Sequence, residues 1–304
     1  MKQTAPPSGG AQAAAHQEVR AARSRAVPLN FRQWMEDSAR YAILVLFALI
    51  AIIPFIWIWS SALKESREIF RDPFALPTSL NLDNLVNAWT VGRFNAYLRN
   101  SIVITVPTTL GVVSLASLAG YGLARFNFRG RQLIFYAFLL GIMVPFQSIM
   151  IPLYYNLRDY GLLGTYWAMI LPAIALGQPF GIFLMHSFFR GLPGELADAA
   201  RVDGCNEFQT FLRVMLPMAG AAMSALFVFQ FMWTWNAFLM PLLYMQKEEL
   251  RPLPLGLMFF QGRYTQDYGL IAGGVTIATA PVIVVYILFQ RQFMRGLTAG
   301  ALRG

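Results

Sequence analysis

A chain of 304 residues with 57% hydrophobic and only 13% charged side chains lies far outside the soluble average of about 25% charged. Its formal net charge of +9 gathers at the ends of apolar runs, as expected for anchoring at an anionic membrane face, so no nucleic-acid partner is expected. A single cysteine, Cys205, excludes an intramolecular disulfide.

In chain order, residues 1–40 begin "MKQTAPPSGGAQAAAHQEVRAARSRA", too polar for a secretory signal peptide, and are expected to form a disordered tail. Residues 41–63, "YAILVLFALIAIIPFIWIWSSAL", run 23 residues without a charge. That is roughly 35 Å of helix against a hydrocarbon core of about 30 Å, a first transmembrane anchor. Residues 64–99 form the longest connection, with the turn-rich stretch "RDPFALPTSLNLDN" and a short helix predicted over Asp83–Thr90. Residues 100–290 hold five further uncharged stretches, at 100–124, 133–157, 167–189, 217–246 and 268–290, and residues 291–304 form a C-terminal tail. Prolines interrupt several of these stretches, which helices in lipid tolerate. A β-barrel would instead show segments of about ten residues in strict alternation, which are absent. The fold class is all-α integral membrane with six transmembrane helices.

Fifteen of the 24 lysines and arginines fall in the N-terminal tail, the 2–3 and 4–5 connections and the C-terminus. That bias places both termini in the cytoplasm. The second span carries Gly111, Ser114, Ser117, Ala119, Gly120 and Gly122, a density of small residues that suits either close helix packing or a pore wall. The outer segment 247–267, with "LRPLPLGLMFF", is expected to lie flat on the membrane surface.

The spans hold no Asp, Glu, Lys or Arg, and His186 is their one imidazole. A proton relay needs buried ionisable groups, so proton coupling is excluded; a sodium-coupled carrier using backbone carbonyls is disfavoured less strongly. The sequence has no HExxH, no GxSxG followed by a His, and no GxxxxGK[ST]. One usable His and one Cys do not make a zinc site. No catalytic residue and no metal ligand is assigned, and transport must be driven from outside the chain or run downhill.

Against this background, residues 190–216 are acidic, with Glu195, Asp198, Asp203 and Glu207 inside "ELADAARVDGCNEF". Glu195 and Asp198 sit where a helix dipole favours carboxylates. Ala197 and Ala200 share one face, and Gly204 suits a left-handed stop. Asn206 and Gln209 have capping-box spacing. Phe208, Phe211, Leu212 and Met215 follow at i, i+3, i+4, i+7, an apolar stripe. The pattern is either a solvated loop helix or a smooth, alanine-faced knob presented to a groove on another protein.

"DAARVDGCNEFQTFLRVMLP" resembles the cytoplasmic signature of binding-protein-dependent ABC importer permeases. Their pattern is Glu-Ala-Ala, two residues, Asp-Gly, nine residues, Ile, one residue, Leu-Pro. Asp198, Ala199, Ala200, Asp203, Gly204, Val214, Leu216 and Pro217 occupy these places, with Asp198 for Glu and Val214 for Ile. "LAGYGLARFNFRGR", "WNAFLMPLLY" and "FMRGLTAGALRG" resemble the carbohydrate-uptake branch, the maltose-transporter-like second permease.

The resemblance implies a type I ABC importer permease fold in a bacterial plasma membrane. Residues Glu195 to Gly204, with Leu216 and Pro217, would form a coupling helix against a cytoplasmic ATPase. Arg295, Gly296, Leu297, Thr298 and Gly300 would reach the ATPase pair. A related second permease, two ATPase subunits carrying ATP and Mg, and an extracytoplasmic sugar-binding protein would complete the machine, with no cofactor on this chain. Trp233, Trp235 and Asn236 are candidates for the sugar path, because aromatics stack on sugars but also pack helices. The alternative is a stand-alone carrier or channel for a small polar solute.

Overall fold

The computed structural model describes residues 31–77, 80–264 and 267–301, with the side chains of 31–34 and 291–301 outside the description. No strand occurs among the described residues. The expected disordered tail falls, through residue 30, outside them. The chain divides between Ile56 and Trp57 into two compact units.

The first unit holds most of helix α1, Phe31–Ala62, which begins ten residues before the expected anchor. Every residue from Met35 to Ile56 is exposed, a surface that only lipid or another apolar partner would cover without cost.

The second unit begins with the end of α1 and two short outer helices, α2 (Ser66–Arg71) and α3 (Asp83–Thr90). The latter has the bounds that the sequence predicts. Asn84 fastens it by donating from Nδ2 to the carbonyls of Ala62 (3.0 Å) and Lys64 (2.7 Å). Lys64 is itself fully buried, its ammonium donating to the Asp72 carbonyl at 3.4 Å.

Two helices make the central pair, α4 (Phe94–Arg125) and, further along, Trp167–Arg190. Small residues let them touch. A Cβ on Gly120 would lie 2.7 Å from the Cβ of Met185 and 2.8 Å from the His186 amide nitrogen. Ser117 is buried at 1% exposure, whereas Ser114 is exposed. The small-residue stripe is thus a packing surface at Gly120 and Ser117.

The expected third span is not one helix. It is split into α5 (Arg131–Ile142) and α6 (Phe146–Asp159), bent by 99°. Pro145 adopts an extended conformation at the break and keeps Val144 out of helical geometry by steric clash. Helix α7 is Trp167–Arg190, and α8 is Glu195–Val202. Then follow α9 (Glu207–Thr210), a π-helical turn (Phe211–Met215) and α10 (Leu216–Met218). After a 76° bend at Ala219 comes α11 (Gly220–Trp235). The expected span 217–246 therefore begins with a bent entry and ends by Trp235, continuing as the separate short helix α12 (Leu239–Tyr244). Among the described residues four helices are long and apolar enough to cross a membrane, or up to six segments if each bent pair counts as one span.

The outer segment packs onto the rest of its unit. Helix α13 (Leu253–Arg263) buries Leu253, Leu255 and Phe260 to 4% exposure or less. Asn100, buried in α4, clamps its approach by donating to the carbonyls of Glu249 (2.7 Å) and Arg251 (3.0 Å), and accepts from Tyr166 at 2.6 Å. The last helix, α14 (Tyr268–Ala301), runs through most of the expected tail.

Candidate functional site

The loop after α7 is built by local rules. Helix α8 ends in a Schellman arrangement: Cys205 N–H donates to the Ala200 carbonyl (2.9 Å) and Gly204 N–H to that of Arg201 (3.0 Å), with Gly204 at φ +82°. That conformation costs a side chain roughly 1–2 kcal/mol, so glycine is the fitting residue. Asn206 then caps the next turn reciprocally: its Oδ1 accepts from Gln209 N–H (2.8 Å), and Gln209 Oε1 accepts from Asn206 N–H (3.0 Å).

Arg201 joins the two helices. Its guanidinium donates to Glu207 Oε1 (2.8 Å) and to Asp198 Oδ1 (2.7 Å). Bonding to Glu207 first, and attraction to Asp198 after it, hold the Arg201 pKa above its ordinary value. Asp198 is thus already engaged within the chain, and it remains largely exposed. Arg125, closing α4, donates to the Leu192 carbonyl at 2.7 Å and pins the loop's start to the central pair.

The loop's faces differ from the expected ones. Ala197 and Ala200 do share a face, but it points inward, both at 5% exposure or less. They are buried methyl-sized residues on the same short helix as Leu196, which packs against the core cluster of Tyr121, Phe189, Phe211 and Met215. The outward surface is Glu195, Asp198, Ala199, Asp203 and Gly204, with Val202 at 87% and Phe208 at 62% exposure. The apolar stripe is likewise divided. The π turn changes the residue spacing, so Phe211 and Met215 are buried while Phe208 and Leu212 face out. Leu216 is half-buried and Pro217 exposed at the bend. Beneath the loop, Tyr121 Oη, Arg125 Nε, Glu207 Oε2 and Thr210 Oγ1 are buried without a hydrogen bond.

A second feature is a cavity of about 500 Å³ at the break between α5 and α6, walled by Gly141, Phe180, Gln230, Trp233, Thr234 and Phe238 among others. Gln230 Nε2 donates to Thr234 Oγ1 at 3.0 Å, and its Oε1 is buried with no partner. Trp233 stands edge-on to Phe180 with centroids 5.7 Å apart. Of the three expected path residues only Trp233 lines this cavity. Trp235 is 2% exposed, stacks on Phe231 and donates to the Ala278 carbonyl at 3.4 Å, joining α11 to α14. Asn236 bonds the Met232 carbonyl, finishing its own helix. Gln230 and Thr234 went unremarked in the sequence; two polar residues at i, i+4 inside an apolar run were the available signal.

Among the described residues no group of three or more His, Cys, Asp or Glu is placed to hold a metal. The backbone of Arg295, Gly296, Leu297, Thr298 and Gly300 belongs to α14, and their side chains lie outside the description.

Residues 113–294 match the family described as binding-protein-dependent transport system inner membrane component. The chain belongs to this family. Similar proteins include the probable ABC transporter permease protein YurM of Bacillus subtilis strain 168, 35% identical over 90% of this chain and 91% of that one. The diacetylchitobiose uptake system permease protein NgcG of Streptomyces coelicolor is 36% identical over 86% of this chain and 88% of that one. The lactose transport system permease protein LacG of Rhizobium radiobacter is 34% identical over 88% and 97%. A solved structure described as a bacterial ABC transporter involved in the import of the acidic polysaccharide alginate has the same fold: TM-score 0.75, 23% identity, covering 86% of this chain and 98% of that one. As a member of this permease family the chain is a multi-pass membrane component of a binding-protein-dependent transporter, with the all-α architecture of a type I importer permease.

Proposed function

We propose that this permease forms half of the translocation path of an ATP-driven importer for a sugar or oligosaccharide, paired with a related second permease. A sugar-loaded extracytoplasmic protein delivers the cargo, and two cytoplasmic ATPase subunits, which carry ATP and Mg, supply the energy. Relatives named for diacetylchitobiose, arabinooligosaccharides, lactose and trehalose support the sugar class. The alternative of a stand-alone carrier leaves the acidic loop without a role.

The observation that carries the reading is the construction of the loop. A capped α8 sits on a fully buried base at Met215 and is tied to α4 through Arg125. Such a loop transmits displacement because packed interiors shift as units. Its outward surface of Glu195, Asp198, Ala199, Asp203, Val202 and Phe208 combines acids with exposed apolar groups, a suitable face for a groove on an ATPase. Closure of the ATPase pair would draw this loop towards its counterpart on the second permease and tilt α4 and α7 with it. The path would then change from inward- to outward-facing. In this reading Leu216 and Pro217 end the lever at the bend into α11. Residues Arg295, Gly296, Leu297, Thr298 and Gly300 extend α14 towards the same ATPase pair, and both termini are cytoplasmic. The cavity beside Trp233 belongs to the path, whereas Trp235 and Asn236 support the helices around it.

The test is co-purification and uptake. Asp198→Lys and Gly204→Val should leave membrane insertion intact while removing bound ATPase subunits and uptake. Retention of both would contradict the proposal.

A further inference from the structure

We propose that the crevice between the start of α5 and the end of α7 binds the phosphodiester headgroup of an anionic phospholipid. This crevice, of about 100 Å³, is separate from both features above. It is lined by Arg131, Gln132, Phe135, His186 and Arg190, with Leu123 and Tyr136 at its walls. Two guanidinium groups border it and no carboxylate does.

Their charge is uncompensated. Arg131 spends one nitrogen on neutral acceptors, the Phe126 carbonyl (3.2 Å) and Asn127 Oδ1 (2.6 Å). Neither arginine forms an ion pair with a carboxylate among the described residues. The third polar group is His186, nine-tenths buried, with no hydrogen-bond partner shown. Its ring lies against Phe135 with centroids 4.1 Å apart, which holds the imidazole in the crevice wall. The first turn of α5 borders the same space, and its dipole favours an anion.

The surroundings select a lipid over a free anion. Arg131 and Arg190 stand at the ends of two apolar helices, the level at which long cationic side chains meet headgroups. Helix α5 buries no residue, and Leu133 (75%), Tyr136 (59%) and Leu140 (63%) are exposed along it. Acyl chains would lie against that surface while the headgroup takes the two arginines, a combination inorganic phosphate cannot use.

The test uses the full-length chain purified in detergent and stripped of lipid, with binding of phosphatidylglycerol, phosphatidylcholine and inorganic phosphate compared by native mass spectrometry. Wild type should retain phosphatidylglycerol over phosphatidylcholine. Arg131→Gln with Arg190→Gln should weaken phosphatidylglycerol about thirtyfold, given about 1 kcal/mol per cationic residue near an anionic surface. Because Arg131 also bonds its neighbours, the single variant Arg190→Gln, at an exposed helix end, is run beside it and should lose a share of the affinity. Equal retention by wild type and both variants, or equal binding of the two lipids, would overturn the proposal. Phosphate binding as well as the lipid would overturn the lipid assignment. None of these readouts depends on transport.

Discussion

Arg201 holds Asp198 and Glu207 on one guanidinium, so the loop's acids are positioned before any partner arrives. Each of the three side chains is 44% to 70% exposed, and pairs of that kind contribute only about 0–1 kcal/mol. Arg201→Met should therefore leave thermal unfolding nearly unchanged while lowering uptake, since it frees α8 from α9; an unaltered uptake rate would argue that the bridge is incidental. Gln230 separates two roles in the same way. Its unpaired buried acceptor costs about 1–3 kcal/mol, so Gln230→Leu should hold or raise stability. If the amide faces cargo, sugar uptake should fall at the same time. A fall in stability without a change in uptake would make Gln230 a packing residue.

At the scale of elements, the contact between α4 and α7 is the tightest join near the loop. Gly120→Val should lower stability by about 1–3 kcal/mol through overpacking, measured as thermal unfolding in detergent. Helix α3 and the two caps around α8 were legible in the sequence because they follow local rules. Asn206 and Gln209 meet across one turn, and Gly204 adopts the left-handed geometry that its position after Asp203 suggests. The inward direction of Ala197 and Ala200 was not legible, because a small residue marks closeness without saying on which side the neighbour lies. The breaks at Pro145 and Ala219 were hidden for another reason. Prolines inside lipid-compatible helices are tolerated at Pro107, Pro172 and Pro281, so proline alone does not tell a bend from a continuous span. The cavity beside Trp233 forms at one such break, which is why Trp235 and Asn236 looked equivalent to it in the sequence.

Across the whole molecule, the family and the apolar segments agree with one another, and the proposed orientation, with the acidic loop cytoplasmic, rests on the placement of the arginines. Cys205 is the only cysteine and is partly exposed within the loop. It should resist a membrane-impermeant maleimide in intact cells and react once the membrane is opened; labelling in intact cells would reverse the assigned orientation. The central claim is that this loop is held by an ATPase. Val202, 87% exposed at the end of α8, is the place to ask. A photo-crosslinking amino acid at position 202 in the assembled transporter should yield an adduct with the ATP-hydrolysing subunit. Irradiated complexes whose adducts at that position contain only lipid or solvent products would contradict the account.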